Sequence, residues 1–334
     1  MTAVSVIITV RNEARSIDAC VRSIVDQTHA PDEVVVVDGG STDGTLERLR
    51  ALAAVDARIR VYAVPGANIS AGRNSAVGHA AGPIIAVTDA GTVLRPDWLA
   101  HLVRPLEADE SIGVSAGFYE AGGHTFFERC LSTVITTQLW EVDPARFLPS
   151  SRSVAFRKEW WSRVGGYPEW LRHCEDLVFD MALKRAGAPF VFAPDAIVSW
   201  NARPTLGRFF RQYVEYARGD AQASLWPRRH AIRYTAYIVG CVLVALAAKG
   251  IWWALPLLAI GAAVYLSRFV RRLWHRPPDS GVGARIGALA LLPVIVMTGD
   301  IAKMLGYAQG WGSRLAHGRP ARTASATAMS RQPT

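Results

Sequence analysis

The stretch that decides the fold is VVVDGGSTDGT, residues 35–45. Its β-branched apolar run is typical of a strand that is buried on both faces of a parallel sheet, and the run stops at Asp38. Turn-forming residues follow, and a helix is predicted to begin near Thr45. The chain opens in the same way, with VSVIITVRNE at residues 4–13 and then apolar residues at helical spacing over residues 17–25. The sequence therefore predicts a strand, helix, strand, helix unit.

The alternation of strands and helices continues along the chain. A strand is predicted over residues 60–64, a helix over 70–81 and a further strand over 84–87. Alternation of this kind predicts an α/β fold with a doubly wound, mostly parallel sheet and helices on both faces. The pattern is less regular up to Trp200, and this part is interpreted as the second half of one domain that spans residues 1–205.

The less regular half has two clear elements. A helix is predicted over about residues 175–186, and a short strand over residues 190–192.

Two carboxylates follow buried strands of the predicted sheet. Asp38 ends one strand and Asp89 ends another. In an open α/β sheet, ligands bind outside the carboxyl ends of the strands. A single Asp at such a place usually caps the next helix or forms an Asx-turn. Two of them together favour a binding site.

The charge distribution separates the chain into two parts. Residues 1–200 hold 19 Lys and Arg against 24 Asp and Glu, a net charge of −5, whereas residues 201–334 hold 18 against 4, a net charge of +14. The C-terminal arginines flank long apolar runs, which is the pattern of a membrane protein that faces anionic lipid. Nucleic acid is therefore not expected as a partner.

Apolar runs of bilayer-spanning length occupy the C-terminal part. Residues 232–248 and 251–270 are predicted to form a hairpin of two transmembrane helices within a membrane domain at 231–312, preceded by an interfacial amphipathic region at 206–230. A third run at 286–298 is shorter, so a re-entrant, an interfacial and a tilted spanning helix all remain open. The last residues, 313–334, are expected to be a disordered basic tail.

Basic residues give the predicted orientation. Arg228, Arg229 and Arg233 precede the hairpin, four arginines between residues 268 and 276 follow it, and Lys249 lies at its tip. Both ends of the hairpin are therefore expected in the cytoplasm. No basic region or cleavage site precedes the first strand, so the N-terminal domain is also expected there. The four cysteines form no CxxC pair, which argues against a zinc site and a disulfide framework.

The motifs resemble those of family 2 glycosyltransferases. The two stretches quoted first, together with AGRN at residues 71–74 and TDAGTVLRPDW at residues 88–98, stand in the order typical of that family. The resemblance implies the GT-A fold. It is closest to membrane-associated bacterial enzymes of exopolysaccharide assembly, of the succinoglycan glucosyltransferase type.

The resemblance also implies a donor site. Residues expected to contact a nucleotide diphosphate sugar are Thr9, Arg11, Glu13, Asp38, Arg73 and Asp89. A carboxylate can accept hydrogen bonds from a base or ribose, and an Arg can pair with a diphosphate. Family members hold Mg²⁺ or Mn²⁺ with an Asp-x-Asp motif. This chain keeps Asp89 as the expected metal ligand but has Gly91 at the second position.

The acceptor side is implied by later residues. The stretch GGYPE at residues 165–169 resembles the family's acceptor loop and includes Gly166 and Tyr167. By the same resemblance, Asp176 is the general base and Glu175 orients the site. Processive members carry a Gln-x-x-Arg-Trp motif, whose place here begins with Gln212 but lacks the Arg and Trp. Addition of one sugar per event is therefore favoured.

The sequence leads to one function with two alternatives. The favoured function is inverting transfer of a sugar to a lipid-linked glycan or polysaccharide acceptor at the cytoplasmic face of the inner membrane. A polyprenyl-phosphate sugar synthase remains an alternative, because it shares the fold and the membrane attachment. A catalytically silent scaffold of a polysaccharide assembly complex is the other, because Gly91 replaces a metal carboxylate.

Overall fold

The computed structural model describes residues 2–317. It divides into two compact units. Of the described residues, the first unit contains those up to Glu120 together with Leu139–Trp200, and the second contains Ala121–Gln138 together with residues 201–317. The helical segment 121–138 thus groups with the C-terminal helices, although it lies inside the predicted domain 1–205. The four cysteines are free.

The first unit is built on a mixed eight-stranded sheet with the order β3-β2-β1-β4-β7-β6-β8-β5. Its strands are β1 (Val4–Val10), β2 (Glu33–Asp38), β3 (Ile59–Ala63), β4 (Ile84–Val87), β5 (Val93–Leu94), β6 (Val114–Gly122), β7 (Val154–Arg157) and β8 (Phe190–Asn201). Strands β3, β2, β1 and β4 are parallel, whereas β7 is antiparallel to both β4 and β6, and β5 to β8. The predicted α/β class is confirmed, and its second half contributes the antiparallel strands.

The helices of the described chain surround this sheet or form the second unit. They are α1 (Ile17–Val25), α2 (Thr45–Val55), α3 (Ile69–His79), α4 (Trp98–Ala108), α5 (Phe126–Ile135), α6 (Lys158–Val164), α7 (Glu175–Arg185), α8 (Leu206–Gln222), α9 (Pro227–Ala248), α10 (Ala254–His275) and α11 (Val282–His317).

Successive residues of β1 face opposite layers of the first unit. Val6 and Ile8 pack with α1 and α4, whereas Ile7 packs with α3 and α7. This alternation follows from the strand period of two residues. Because both faces are covered, the strand is apolar almost throughout, as the sequence predicted. The helices therefore lie on both faces of the sheet.

The second unit contains helices long and apolar enough to cross a membrane. Three helices within residues 2–317 meet that description: α9, α10 and α11. The first two correspond to the predicted hairpin. Helix α11 is longer than the predicted third run and continues through residues 313–317, where the tail was expected to begin. The rest of that tail, residues 318–334 with Arg319 and Arg322, lies outside the described residues.

Helix α8 packs closely along α11 through glycines. A Cβ at Gly306 would overlap the carbonyl oxygen of Val214, and a Cβ at Gly299 would lie 3.0 Å from the Phe209 ring. Phe209 is buried. The sequence predicted that this amphipathic face lies on lipid, but in the structure Phe209 packs against α11. Small residues permit this close approach of two helix backbones.

A buried carboxylate connects the candidate membrane helices. Asp300 of α11 accepts hydrogen bonds from Arg233 of α9 at 2.8 Å, Tyr265 of α10 at 2.7 Å and Tyr237 of α9 at 3.3 Å. Pairing of this kind offsets the cost of burying a charge among apolar helices. Asp300 therefore holds three helices of the second unit together.

Candidate active site

The loops that follow β1 and β2 are joined by hydrogen bonds. The Asn12 amide donates to Ser41 Oγ at 2.9 Å, and Asn12 Oδ1 accepts from the Thr42 amide at 2.8 Å. The Glu13 amide donates to Thr45 Oγ1 at 2.9 Å. These bonds fix the carboxyl ends of two neighbouring parallel strands, where the sequence predicted a donor site.

Asp38 is buried at the end of β2, with 1% of its surface exposed. Its Oδ1 accepts from the amides of Gly40 at 2.9 Å and Ser41 at 2.8 Å, which is the Asx-turn expected of such a residue. Its Oδ2 is buried and has no hydrogen-bond partner within residues 2–317. A buried carboxylate oxygen requires a partner, so Oδ2 is suited to accept a hydrogen bond from a ligand.

The remaining donor residues of β1 and its loop differ in exposure. Thr9 lies against α3, because a Cβ at Gly72 would come within 2.8 Å of its methyl group. Arg11 is exposed, and Glu13 is partly buried. The Glu13 carboxylate accepts from Ser16 Oγ at 2.6 Å. The structure thus brings these residues to one edge of the sheet, beside Asp38.

Arg73 links the donor edge to helix α7. One of its terminal nitrogens donates to Asp89 Oδ1 at 2.6 Å, and the other donates to Glu175 Oε1 at 2.7 Å. The side chain is 2% exposed and lies over the Tyr167 ring at 5.3 Å. Its Nε has no partner within the described chain. Direct contact with a diphosphate remains a prediction, because both terminal nitrogens bind carboxylates here.

Burial and neighbouring charges shift the pKa values of Arg73 and of its two carboxylate partners. Burial alone would lower the pKa of Arg73. The negative charges of Asp89 and Glu175 raise this pKa by a larger amount, so it lies above its usual range. Burial raises the pKa of Asp89, but Arg73 and Arg152 together bring it below its usual range. Burial raises the pKa of Glu175, against the effect of Arg73. Arg73 and Asp89 therefore form a charged pair at neutral pH.

A second guanidinium lies beside Asp89. Arg152 Nε is 3.7 Å from Asp89 Oδ2. The Arg152 guanidinium also lies over the rings of Trp200, at 5.0 Å, and Tyr119, at 5.9 Å. The sequence did not single out Arg152, because it belongs to a loop and its neighbours are distant in the chain. No local pattern could have found it.

Asn74, the last residue of the AGRN motif, fixes the acceptor loop. Its Oδ1 accepts from the Tyr167 amide at 2.8 Å, and its Nδ2 donates to the Tyr167 carbonyl at 2.9 Å and to Glu169 Oε1 at 2.9 Å. Gly166 has a φ of +77°, and a Cβ there would lie 2.6 Å from Asn74 Oδ1. Only glycine suits both conditions. Asn74 belongs to the AGRN motif that was recognised in the sequence, but no role was predicted for Asn74.

Tyr167 is a buried residue of the same loop. It is 2% exposed, stacks on Phe179 at 4.0 Å between ring centroids and has its hydroxyl 3.2 Å from Ser151 Oγ. A sugar cannot stack on a ring that is covered in this way. Tyr167 therefore packs in the core beside Phe179, and its role on the acceptor side remains a prediction.

Asp176 and Glu175 begin α7 and point to different surroundings. Glu175 is buried and binds Arg73. Asp176 is partly buried. Its Oδ1 accepts from the Leu177 amide at 2.8 Å, and its Oδ2 lies 3.4 Å from Ser150 Oγ. This arrangement keeps the Asp176 carboxylate accessible beside the Arg73 network, as a general base requires.

Asp180 lies one turn beyond Asp176 and is fully enclosed. It is 3% exposed, and its Oδ2 has no partner in residues 2–317. Burial, and then the charge of Asp176, raise the pKa of Asp180 well above its usual 3.8. Asp180 is therefore uncharged over a range of pH in which the unfolded chain carries its charge.

We expect Asp180→Asn to stabilise the protein increasingly as pH rises. Because the pKa of Asp180 is higher in the folded state, its protonation contributes fully to folding stability below pH 3.8. This contribution is lost as pH rises towards the folded-state pKa. Asparagine removes this dependence, so the gain grows by at most about 1.4 kcal/mol per pH unit. Melting temperatures of both proteins between about pH 5 and about pH 8 check this. A difference in melting temperature between the two proteins that does not change with pH would contradict this prediction.

Gln212 belongs to α8, in the second unit. It is buried, and its Nε2 donates to the Tyr216 hydroxyl at 2.8 Å. The other predicted site residues all lie in the first unit. A role for Gln212 at the acceptor remains a prediction.

The residues around Asp89 permit a divalent cation, with few protein ligands. Residues 2–317 contain no group of three or more His, Cys, Asp or Glu side chains placed to hold a metal ion. Asp89 Oδ1 is bound by Arg73, whereas Arg152 Nε lies 3.7 Å from Oδ2, beyond hydrogen-bond distance. An oxygen of this kind suits Mg²⁺ or Mn²⁺, provided that ligand phosphates supply further oxygens.

Comparison with known proteins shows which proteins the chain is similar to. Residues 5–165 match the profile of Glycosyl transferase family 2. The chain is 27% identical over 275 residues to Glycosyltransferase AglE of Haloferax volcanii, which covers 81% of this chain and 90% of that protein. It is 28% identical over 231 residues to the Succinoglycan biosynthesis protein ExoA of Rhizobium meliloti, covering 66% and 70% respectively.

A solved structure supports the fold. The mannosyltransferase PcManGT from Pyrobaculum calidifontis, solved in complex with GDP-Man and Mn²⁺, superposes with a TM-score of 0.54 and covers 96% of this chain and 88% of its own. Its sequence identity is 21%, so the likeness concerns the fold alone. The predicted GT-A fold with C-terminal apolar helices is confirmed.

Proposed function

We propose that the chain, whose residues 5–165 match the profile of Glycosyl transferase family 2, is an inverting enzyme that uses a nucleotide diphosphate sugar. The acceptor is a lipid-linked glycan or a polysaccharide of the cell envelope. The observation that carries the proposal is the position of Arg73 between Asp89 and Glu175. Arg73 joins Asp89, a carboxylate on the donor side, to the helix that holds Asp176.

The donor binds at the carboxyl ends of β1, β2 and β4. Asp38 Oδ2 accepts a hydrogen bond from the base or ribose, because it is buried without a protein partner in the described chain. The exposed Arg11 and the Arg152 guanidinium pair with the diphosphate. When bound, Mg²⁺ or Mn²⁺ at Asp89 would offset the charge that develops on the leaving diphosphate. Arg73 positions Asp89 for that contact.

Asp176 acts on the acceptor. Its carboxylate takes the proton of an acceptor hydroxyl while that oxygen forms a bond to the anomeric carbon of the donor sugar. The bond between the anomeric carbon and the diphosphate oxygen breaks, and the nucleoside diphosphate leaves with the electron pair. Attack from the opposite face inverts the anomeric configuration. Glu175 stays bound to Arg73 and orients the site.

We place the reaction at the cytoplasmic face of the inner membrane. Helices α9, α10 and α11 are candidate membrane spans, and arginines flank the first two. Basic flanks stay in the cytoplasm. A reporter enzyme fused after Arg276 is expected to be active in the cytoplasm, and periplasmic activity would contradict this orientation.

A panel of UDP-sugars and GDP-sugars tests the function. The purified full chain is incubated with each donor, Mn²⁺ and one of three acceptors: a lipid-linked glycan, a polysaccharide or a polyprenyl phosphate. We expect release of nucleoside diphosphate that depends on one of the first two. Turnover with polyprenyl phosphate alone would identify a polyprenyl-phosphate sugar synthase. If no donor is turned over and no nucleotide binds, the chain is a catalytically silent scaffold.

A further inference from the structure

Gly91 stands where a second metal carboxylate was expected, and its surroundings contain another carboxylate. Gly91 has a φ of +83°. The three atoms that a Cβ at this position would approach most closely all belong to the Glu13 carboxylate, with Oε2 at 3.5 Å and Oε1 at 3.9 Å. These are ordinary van der Waals distances. The Glu13 carboxylate thus lies beside the space that a side chain at position 91 would enter.

Glu13 is held in this position by its own loop. Its amide donates to Thr45 Oγ1 at 2.9 Å, and its carbonyl accepts from the amides of Ser16 and Ile17 at 3.0 and 2.9 Å. Ser16 Oγ donates to Oε2 at 2.6 Å. Within residues 2–317, this bond is made to Oε2, and Oε1 has no hydrogen-bond partner. Bonds of this kind orient a carboxylate as outer-shell partners orient metal ligands.

Asp89 has a carboxylate oxygen, Oδ2, that can act as a metal ligand together with Glu13 Oε1. Arg73 binds Oδ1 at 2.6 Å, whereas Arg152 Nε lies 3.7 Å from Oδ2. One oxygen of Glu13 and one of Asp89 are therefore available at the same strand ends. Two carboxylate oxygens do not make a closed metal site. Mg²⁺ in proteins is commonly held by one or two carboxylates together with substrate phosphates.

We propose that Glu13 replaces the missing second carboxylate of the metal site. With Asp89 it holds a divalent cation that binds only together with the diphosphate of the nucleotide. This inference rests on the proposed function, because it requires a nucleotide diphosphate ligand. It gives Glu13 a metal-binding role and explains how a glycine is accepted at position 91.

Binding of Mn²⁺ to the full chain tests the proposal without any turnover. Free Mn²⁺ is measured by electron paramagnetic resonance in the presence of UDP or GDP. We expect Glu13→Gln to weaken nucleotide-dependent Mn²⁺ binding at least about tenfold, as for other changes at metal sites. Nucleotide binding in EDTA should fall by less than Mn²⁺ binding does, because a loss in EDTA reports only a direct contact of Glu13 with the nucleotide. Glu47→Gln, an exposed carboxylate on α2, is the control and should bind Mn²⁺ as the wild type does.

A second variant places a carboxylate at position 91 in place of the one removed from position 13. In the Glu13→Gln background, Gly91→Asp should restore Mn²⁺ binding, because Asp tolerates positive φ better than most residues. Wild-type Mn²⁺ affinity in Glu13→Gln would overturn the proposal. So would an equal loss of nucleotide binding in EDTA, or a folded double variant without restored binding. If the wild type binds no nucleotide at all, the proposed function itself fails.

Discussion

Asp176→Asn is expected to lower the rate of sugar transfer by roughly 100- to 10,000-fold, the usual contribution of a general base. Asparagine has nearly the same shape, and it can still accept from the Leu177 amide, which lies 2.8 Å from Asp176 Oδ1. It cannot take a proton from the acceptor hydroxyl. Affinity for the nucleoside diphosphate should remain within about a factor of two, since Asp176 is not placed at the donor edge.

Steady-state transfer at saturating donor, together with nucleotide binding measured by calorimetry, checks this prediction. Asp195→Asn is a matched control, because Asp195 is an exposed carboxylate of β8. It should transfer at the wild-type rate. Near-normal turnover by Asp176→Asn would remove Asp176 from the role of base.

Arg73→Met is expected to destabilise the protein by roughly 3–5 kcal/mol, the effect of removing one partner from a buried ion pair. The change leaves two carboxylates without their shared cation, because Asp89 and Glu175 both bind Arg73 within 2.7 Å. Glu175 is buried, so its charge would have no solvent to compensate it. Methionine retains much of the side-chain volume, so loss of packing contributes little.

Denaturant titration of the detergent-solubilised chain, followed by tryptophan fluorescence, measures this loss. Arg48→Met is the control, because Arg48 pairs with Asp18 at 2.7 Å while both side chains are exposed. Exposed pairs contribute about 0–1 kcal/mol. Adding Glu175→Gln to Arg73→Met should recover part of the stability. A loss no larger than that of the control would contradict the account of Arg73.

The parallel half of the sheet could be predicted because its signals are local. Runs such as VVVV before Asp38 are apolar on every residue, and such runs occur where helices cover both faces. The turn chemistry that follows marks the strand end. The carboxylates at those ends were therefore found from the sequence, and the structure places Asp38 and Asp89 there.

The antiparallel half could not be predicted in the same way. Strand β8 was expected as residues 190–192 but extends over Phe190–Asn201. Pro194 and Asp195 interrupt its apolar pattern, and its faces differ in exposure, so no period identifies it. Strand β6 contains two glycines, Gly117 and Gly122, which weaken a strand signal. Long-range pairing, and not local propensity, forms these strands.

Several site contacts also join residues that are far apart in sequence. Arg73 and Glu175 are separated by 102 positions, and Asn74 and Tyr167 by 93. An Arg near the start of a helix is usually solvated, so nothing local indicated that Arg73 is buried between two carboxylates. The close approach of α8 to α11 at Gly306 likewise depends on tertiary packing.

Direct displacement with Asp176 as base is tested most directly by the anomeric configuration of the first product. Nuclear magnetic resonance of the glycoside formed by the purified chain measures this configuration relative to the donor. We predict inversion, so that an α-linked donor gives a β-linked product. A product that retains the donor's configuration would contradict the account.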